Sequence, residues 1–384
     1  MREEIMNNIM KALNEREIEA LRWIRRHDGI SRKALAEAMG LSQASITNMS
    51  KELIDRQYVV EGERVGQGMG RKEVMLQINP NKFRYLGIDI GGYLFRIALS
   101  DSNLTIIREQ VCLIEEFKRD KDPLPAMLDK IKRFLEDAGI SAAEIDAAGI
   151  GVSGIVDAAR RRIVNVPNIA DWEELDIVSV FERHLGCPVF LDESGRAMAV
   201  AEKVFGQAKS VNDFIIVHIA YSIVAGITIN GQLLRGFNNV GGLLGHITAD
   251  ERAGRCLCGN YGCLENLVTF PMIKSAYQRE SGNQESVLDA LKKNDKTAID
   301  VCISAGKAIG IALSNTVNLF NPEVIYISGP VFENLPIVFE ETKRTILLRA
   351  NRYATVNLRL LSSSYGHNQG MMGALALAGT SILA

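Results

Sequence analysis

The stretch YLGIDIGGYLFRIALSD, residues 85–101, reads as a strand, a glycine turn and a second strand. Residues 214–234, FIIVHIAYSIVAGITINGQLL, read as another hairpin, so strand-turn-strand segments occur in both halves of the chain. Two further segments, at 145–157 and 187–206, open with apolar runs of strand length, and segments with helical patterns lie between them. We therefore predict an α/β chain whose two related lobes face a cleft.

The overall composition indicates a soluble, globular chain. Its 384 residues suffice for two or three domains, and 47% of them are hydrophobic and 23% charged. The net charge of −2 gives no general attraction to nucleic acid or to a membrane. The most apolar run, residues 214–229, is short and is broken by His218 and Ser222, which suits buried strands. We expect no membrane partner.

The cysteine pattern and the N-terminal residues favour a cytoplasmic location. Cys112, Cys187 and Cys302 are scattered through apolar segments, as reduced core cysteines are. The N-terminus carries Glu3 and Glu4 and has no apolar core of signal-peptide length.

Residues 1–80 differ from the rest of the chain, because they are rich in helix formers and contain no proline before Pro80. Asn14, Ser31 and Ser42 each precede a segment with helical periodicity, and so each can cap a helix. Two extended segments follow, at 58–62 and 72–78, around a glycine-rich tip. The order helix, helix, tight turn, helix, hairpin predicts a winged helix-turn-helix.

The third helix of such a module enters the major groove of DNA. Its polar N-terminal residues are the predicted base and phosphate contacts: Ser42, Gln43, Ser45, Thr47 and Asn48. Basic residues that can reach phosphates or the minor groove are Lys51, Arg64, Arg71 and Lys72. The module holds 13 basic and 12 acidic side chains, so charge alone also allows a three-helix protein-interaction module. The polar helix start and the basic wing favour double-stranded DNA.

A third feature is the stretch GHITADERAGRCLCGNYGCLE, residues 245–265. His246, Cys256, Cys258 and Cys263 supply one imidazole and three thiolates, the ligand set of a closed, structural zinc site. The alternative is a loop with buried or disulfide-paired cysteines. A Cys-x-Cys pair is too close in sequence to bridge comfortably, which favours zinc.

Three motifs, GIDIGG at 87–92, VPNIADW at 166–172 and the cysteine block, resemble the ROK family (repressors, open reading frames and kinases). The resemblance covers essentially the whole chain. It implies a two-lobed actin-like, ribonuclease H-like ATPase fold, zinc in the second lobe, a sugar pocket in the cleft, and dimers or tetramers. The N-terminal winged helix-turn-helix is the hallmark of the family's repressors, and its kinases lack it.

The resemblance also suggests where the parts begin and end. We expect the winged helix-turn-helix at 1–80 and the first lobe at 81–190, with a C-terminal helix at 366–384 returning to it. The second lobe, with the zinc loop, is expected at 191–365.

The chain departs from the pattern of the family's kinases at several places. Ser194 stands where they carry the aspartate base, and serine cannot act as that base without help. Tyr93 replaces a small threonine of the first phosphate loop, and AYSIVAG, residues 220–226, replaces a glycine-rich second loop. The turn at 328–330 reads SGP where the family favours paired glycines. We therefore expect no kinase activity.

The sugar pocket of the family maps onto six residues of this chain, namely Gly154, Asn168, Glu193, Ser194, His246 and Glu265. One usual carboxylate is absent, because Leu243 stands three residues before the histidine. A pocket without two carboxylates would bind an ordinary hexose more weakly, or bind something else. Asn168 and Glu265 also allow a purely structural interpretation.

These observations predict a DNA-binding transcriptional regulator, most simply a repressor of carbohydrate-metabolism genes. A homodimer or tetramer would bind operator DNA, and a sugar or sugar-like effector in the cleft would control it. One alternative is an ATP-dependent sugar kinase that retains a DNA-binding arm. Another is an effector-independent DNA-binding protein with a vestigial pocket.

Overall fold

The computed structural model describes residues 13–65, 72–117, 122–159, 161–166, 169 and 172–383, with side chains to residue 380. Two predicted site residues, Arg71 and Asn168, lie outside the described residues.

The N-terminal module is a winged helix-turn-helix, as predicted. Its elements are α1 (Glu15–Arg26), β1 (Ile30–Ser31), α2 (Arg32–Met39), α3 (Gln43–Asp55), β2 (Val59–Val65) and β3 (Glu73–Ile78). Asn14 and Glu17 form a reciprocal capping box on α1, and Ser31 and Ser42 cap α2 and α3. The short strand β1 was not predicted. It completes a sheet of order β1-β3-β2 by pairing with Met75 and Leu76.

A first mixed sheet follows, of order β10-β7-β4-β5-β6. Its strands are β4 (Tyr85–Ile90), β5 (Leu94–Ser100), β6 (Ile106–Leu113), β7 (Ala147–Val152) and β10 (Val189–Glu193). The hairpin β4–β5 is antiparallel, while β7 and β10 add in parallel. All five residues of β10 pair with β7, so this sheet continues past the boundary expected at residue 190.

Along the chain, helix α4 (Leu124–Asp137) lies between β6 and β7, and helix α5 (Ile177–Leu185) precedes β10. Strands β8 (Ile155–Asp157) and β9 (Arg162–Asn165) form a small antiparallel pair. Helix α6 (Ser194–Val204) follows β10 directly.

A second five-stranded sheet repeats the design, with the order β13-β12-β11-β14-β15. Its strands are β11 (Phe214–Ile219), β12 (Ile223–Ile229), β13 (Gln232–Leu233), β14 (Val324–Ser328) and β15 (Arg359–Ser362). Strands β11 and β12 form the predicted hairpin, and β14 and β15 add in parallel. A winged helix-turn-helix followed by two related sheets is the predicted fold class.

The remaining helices of the described chain are α7 (Glu265–Val268), α8 (Phe270–Ser281), α9 (Val287–Lys292), α10 (Lys296–Phe320), α11 (Pro330–Asn334), α12 (Pro336–Arg349), α13 (Arg352–Thr355) and α14 (Gln369–Leu383). By length and hydropathy alone, α10 could cross a membrane. It packs against α8 and α12, and residues such as Leu313 and Val317 are fully buried. These contacts are typical of a core helix.

Helix α14 packs on strands β4 and β7 and on helix α6. Its approach is so close that a Cβ on Gly149 would lie 1.9 Å from the carbonyl oxygen of Ala374. A Cβ on Gly87 would lie 2.7 Å from the Leu375 side chain. Glycine is therefore favoured on β4, where the Leu375 side chain takes the space, and required on β7, where the helix backbone occupies it.

The winged helix-turn-helix is joined to this packed unit through Arg25, near the end of α1. Arg25 is only 8% exposed. Its guanidinium donates to the carbonyl of Gly379 on α14 at 2.5 Å and to that of Ser102 at 3.3 Å. It also lies 5.5 Å from the ring centre of Phe205. Side chains of α1 and α14 share one apolar cluster around this contact.

We predict that Arg25→Met lowers the free energy of unfolding by about 2–4 kcal/mol, because two buried carbonyls lose a charged donor. Urea unfolding followed by circular dichroism measures the change. Arg16→Met, at an exposed position of the same helix, is the matched control and should change stability by less than about 0.5 kcal/mol. Equal losses in the two variants would contradict a structural role for Arg25.

Candidate functional site

The N-terminal half of helix α3 separates an exposed polar face from a buried one. Ile46, Ser50 and Leu53 point into the module. The residues predicted to face DNA are exposed, namely Ser42, Gln43, Ser45, Thr47 and Asn48. The separation follows from the helical period, which brings residues three or four apart to one side.

Two of the exposed hydroxyls make hydrogen bonds to the backbone of α3. The Ser42 side chain accepts a hydrogen bond from the Ser45 N–H at 3.2 Å, which caps α3. The Thr47 hydroxyl donates to the carbonyl of Gln43 at 2.7 Å. The exposed amides of Gln43 and Asn48 are consequently the better groups for reading base edges, since each offers a donor and an acceptor.

The basic residues predicted for phosphate contact are exposed where they are described, namely Lys51, Arg64 and Lys72. Sequence reasoning missed Arg32, which donates to the Ser50 hydroxyl at 2.9 Å and to the Glu61 carboxylate at 2.7 Å. This arginine ties α2, α3 and β2 together, and so fixes the recognition helix relative to the wing.

The four predicted metal ligands come together. The imidazole of His246 and the sulfurs of Cys256, Cys258 and Cys263 all lie within 4.8 Å of one another. Cys258 and Cys263 sulfurs are 3.6 Å apart, and Cys256 Sγ is 3.7 Å from His246 Nδ1. Tetrahedral zinc with bonds of about 2.3 Å to sulfur places its ligand atoms about 3.8 Å apart. The donor set and its spacing therefore fit zinc.

The backbone around these ligands forms a compact knuckle. Two isolated antiparallel β-bridges join the backbones there, one between Thr248 and Cys263 and one between Arg255 and Tyr261. All three cysteines of this block are free, so the alternative prediction of disulfide-paired cysteines does not hold.

Glu265 lies at the start of α7, two residues after the last cysteine. Its Oε2 accepts a hydrogen bond from the Ile223 N–H, at the start of β12, at 2.9 Å. A Cβ on Gly245 would lie 3.3 Å from the same oxygen. The carboxylate thus links the cysteine block to the β11–β12 turn. This link was not predicted from the sequence.

The first sheet carries a buried ion pair on its β4–β5 hairpin. Asp89 and Arg96 are opposite one another in the β4–β5 hairpin, and Arg96 Nη1 donates to Asp89 Oδ2 at 2.7 Å. Burial raises the pKa of Asp89, while Arg96 and a hydrogen bond from Ser194 act in the opposite direction. Ser194 also accepts from the Ser153 hydroxyl at 3.3 Å. The Ser194 hydroxyl is therefore hydrogen-bonded to two neighbouring side chains, those of Asp89 and Ser153.

A second network surrounds the start of α6. Asp192 Oδ1 accepts from Arg196 Nε at 2.7 Å, and its Oδ2 pairs with Arg235 at 2.8 Å. Arg196 also donates to the carbonyl of Asn239 at 2.9 Å, which attaches the loop after β13 to the helix. Asp192 lies on β10 and Arg196 on α6, so the helical i,i+4 rule does not apply to them and gave no sequence signal for this pair.

Glu193 caps α6, as its carboxylate accepts from the N–H groups of Gly195 at 2.8 Å and Arg196 at 3.1 Å. Burial raises the pKa of Glu193 to about 7, although Arg196 and the two N–H donors favour the ionised form. Nearby on β11, burial lowers the pKa of His218 to about 3, so this imidazole is neutral and shares a 2.9 Å hydrogen bond with Ser328.

The residues assigned to the effector pocket occupy two groups of elements. Glu193 and Ser194 stand at the start of α6, and Gly154 packs against Asn165 and Val166 at the end of β9. His246 and Glu265 belong to the cysteine block. The elements of the two groups touch where α6 packs on β12. A Cβ on Gly195 of α6 would lie 2.7 Å from the backbone of Ala225 on β12.

Two aromatic side chains meet between the hairpins of the two sheets. Tyr93, in the β4–β5 turn, and Tyr221, in the β11–β12 turn, have ring centres 4.5 Å apart at an interplanar angle of 33°. Sequence reasoning noted both residues only as departures from phosphate loops. Their equivalent positions in two similar hairpins were the signal that could have paired them.

Together, the fold and these sites define a two-lobed protein of the sugar-kinase type that carries an N-terminal DNA-binding module. The chain belongs to the ROK family, whose model matches residues 85–381. A MarR family model matches residues 13–60, within the winged helix-turn-helix.

Two relatives are similar over nearly the whole chain. The xylose repressor of Bacillus spizizenii is 31% identical over 360 residues, which cover 92% of this chain and 92% of the relative. The DNA-binding transcriptional dual regulator NagC of Escherichia coli is 27% identical over 389 residues, covering 98% and 94% respectively.

Solved structures agree with this relationship. A ROK family transcriptional regulator, described as a homolog of the E. coli MLC protein, is 27% identical and has a TM-score of 0.78, with 96% of each chain covered. A ROK family glucokinase from Streptomyces griseus, in complex with glucose and AMPPNP, is 22% identical with a TM-score of 0.66. It covers 77% of this chain and 99% of its own, and shows the fold alone.

We predict that Glu193 makes stability depend on pH. Its raised pKa means that the folded state binds this proton more tightly, so its contribution is full below about pH 4.5 and is lost as pH rises through about 7. Glu193→Gln cannot titrate and keeps one of the two cap acceptors, so its own loss of stability is independent of pH. Urea unfolding at about pH 5 and pH 8 should therefore show wild type losing stability relative to the variant.

Glu19→Gln, at an exposed position of α1, is the control and should follow wild type at both pH values. A constant difference between wild type and Glu193→Gln across this range would show that the carboxyl does not titrate there.

Proposed function

We propose that this protein is a DNA-binding transcriptional repressor of carbohydrate-metabolism genes, controlled by a small molecule in the cleft. The observation that carries the proposal is the exposed polar start of α3 in a winged helix-turn-helix, joined to a ROK fold. Its similarity to named xylose and N-acetylglucosamine repressors over nearly its full length supports the same conclusion. Such a protein works in the cytoplasm, where the DNA is.

In this proposal α3 enters the major groove, with Gln43 and Asn48 on base edges and Ser45 and Thr47 near bases or phosphates. Lys51, Arg64, Arg71 and Lys72 contact the DNA backbone. A homodimer, or a tetramer built from dimers, presents two recognition helices to a pseudo-palindromic operator.

The effector is a sugar or a sugar-like molecule held between the two groups of pocket residues. Glu265 and His246 act from the cysteine block, and Glu193 and Ser194 from the start of α6, with Gly154 and Asn168 completing the pocket. Because polar hydroxyl groups need directed partners, these side chains set its orientation. The effector can change DNA affinity only to the extent that it binds one conformation of the chain more tightly than another.

We also infer that the chain does not phosphorylate its ligand. Ser194 stands in place of the base, and a positioned base is worth about 10²–10⁴ in rate. Asp89 is paired with Arg96, so it is less available to a metal-bound phosphate. ATP turnover with a panel of hexoses and pentoses that disappears in Asp89→Asn would overturn this view.

His246, Cys256, Cys258 and Cys263 hold a structural zinc ion in this proposal. When bound, zinc supplies a rigid tetrahedral joint and no chemistry. Its role is to fix the segment that carries Glu265.

Two classes of substitution in the DNA-binding module should have different effects. Gln43→Ala and Asn48→Ala should each relax the preference at one position of the selected duplex by about 1–3 kcal/mol. Lys72→Ala should weaken binding to all sequences. It should also reduce the slope of log affinity against log salt concentration by about one. Selection from a random duplex pool, followed by binding at several salt concentrations, measures both.

Lys132→Ala on α4 removes the same charge away from the module and is the control for Lys72→Ala. Unchanged affinity and unchanged sequence preference in all three module variants would refute the assignment of α3 and the wing.

Zinc binding should depend on the four ligands. Elemental analysis should find about one zinc per chain in wild type and much less in Cys258→Ser, whose melting temperature should fall by about 5–10 °C. Cys112→Ser, outside the cluster, should retain its zinc. A metal content that is the same in both variants, or no zinc in wild type, would exclude the site.

A further inference from the structure

The contact between Tyr93 and Tyr221 joins the tips of two hairpins that belong to different sheets. The rings are close enough to interact, with centres 4.5 Å apart. Each tyrosine is nevertheless 41% exposed, so neither ring is enclosed by other side chains. The pair can therefore separate without opening a core.

Each tip is hydrogen-bonded to a segment outside its own hairpin. The carbonyl of Tyr93 accepts from the Ile114 N–H at 2.9 Å, beyond β6. On the other side, the carbonyl of Ala220 accepts from the Phe270 N–H at 2.8 Å. A relative movement of the two sheets is consequently transmitted to the two rings.

The second tip has one further attachment, to Glu265. The Ile223 N–H, two residues after Tyr221, donates to the Glu265 carboxylate at 2.9 Å. A carboxylate offers two acceptor oxygens, so a ligand group competes with the hydrogen bond from Ile223 where it takes Glu265 Oε2.

We propose that Tyr93 and Tyr221 form an aromatic latch across the cleft, and that the Glu265–Ile223 hydrogen bond links the latch to the pocket. Ring contact favours the closed arrangement, and a ligand on Glu265 releases the Tyr221 turn. Aromatic pairs of this kind change an equilibrium by about two- to tenfold beyond their buried area. The part played by Glu265 rests on the proposed effector site, whereas the latch itself does not.

Hydrogen exchange of the chain without DNA or sugar tests the latch. Tyr93→Ala should speed exchange by about two- to tenfold in the opposite turn, residues 220–223, and Tyr221→Ala should do so in residues 91–94. The double variant should exchange no faster than the faster single variant, since one contact is lost in each. Tyr93→Phe and Tyr221→Phe keep the ring and should match wild type.

Tyr353→Ala, at an exposed tyrosine outside both turns, is the control and should leave both segments unchanged. Changes confined to the substituted turn, or additive effects in the double variant, would overturn the latch.

The link to the pocket has its own test. Glu265→Ala removes the acceptor of the Ile223 N–H and should speed exchange in residues 91–94, whereas Glu265→Gln retains an acceptor and should not. Equal exchange in the two variants would overturn the link.

Affinity for the duplex selected by wild type then separates this inference from the proposed function. A two- to tenfold change in Tyr93→Ala supports control of DNA binding by the latch. Altered exchange with unaltered DNA affinity would keep the latch and refute its regulatory role, and a wild type that selects no duplex would refute the proposed function alone.

Discussion

The close seat of helix α14 on strands β4 and β7 is the constraint on which the rest of the arrangement depends. At Gly149 the helix carbonyl of Ala374 takes the place of a side chain, so the helix cannot shift without separating from the sheet. One end of α14 lies at Gly370, against the buried Asp89 carboxylate of β4. Its other end offers the Gly379 carbonyl to Arg25 of α1. A single helix thus contacts both the Asp89–Arg96 ion pair of the first sheet and the winged helix-turn-helix.

Local rules predicted much of this structure. Asn14, Ser31 and Ser42 cap helices as expected, because a cap depends only on residues within one turn. The two hairpins β4–β5 and β11–β12, and the cysteine block with its histidine, also follow from spacing over short stretches. The sequence pattern therefore established the fold class, and the four ligands were gathered as their spacing predicts.

Contacts between distant segments could not be predicted in the same way. Nothing near Arg25 in the sequence indicates that its partner is a carbonyl 354 residues away. Arg235 reaches Asp192 only because the loop after β13 folds over α6. Glu265 was expected to face a ligand, yet its carboxylate also accepts from Ile223. In each case the partner depends on how whole elements pack, which periodicity and capping do not specify.

The buried carboxylates at the ends of β4 and β10 are already paired. Asp89 and Asp192 are both almost fully buried, and each is paired with arginine, so the chain itself supplies the counter-charges. A buried carboxylate without such a partner would carry a large desolvation penalty. A cation that binds Asp89 would have to displace Arg96, and one that binds Asp192 would have to displace Arg196 or Arg235. The Glu265 carboxylate, by contrast, accepts from the backbone N–H of Ile223 rather than from a charged side chain, so a group that binds there need not break either ion pair.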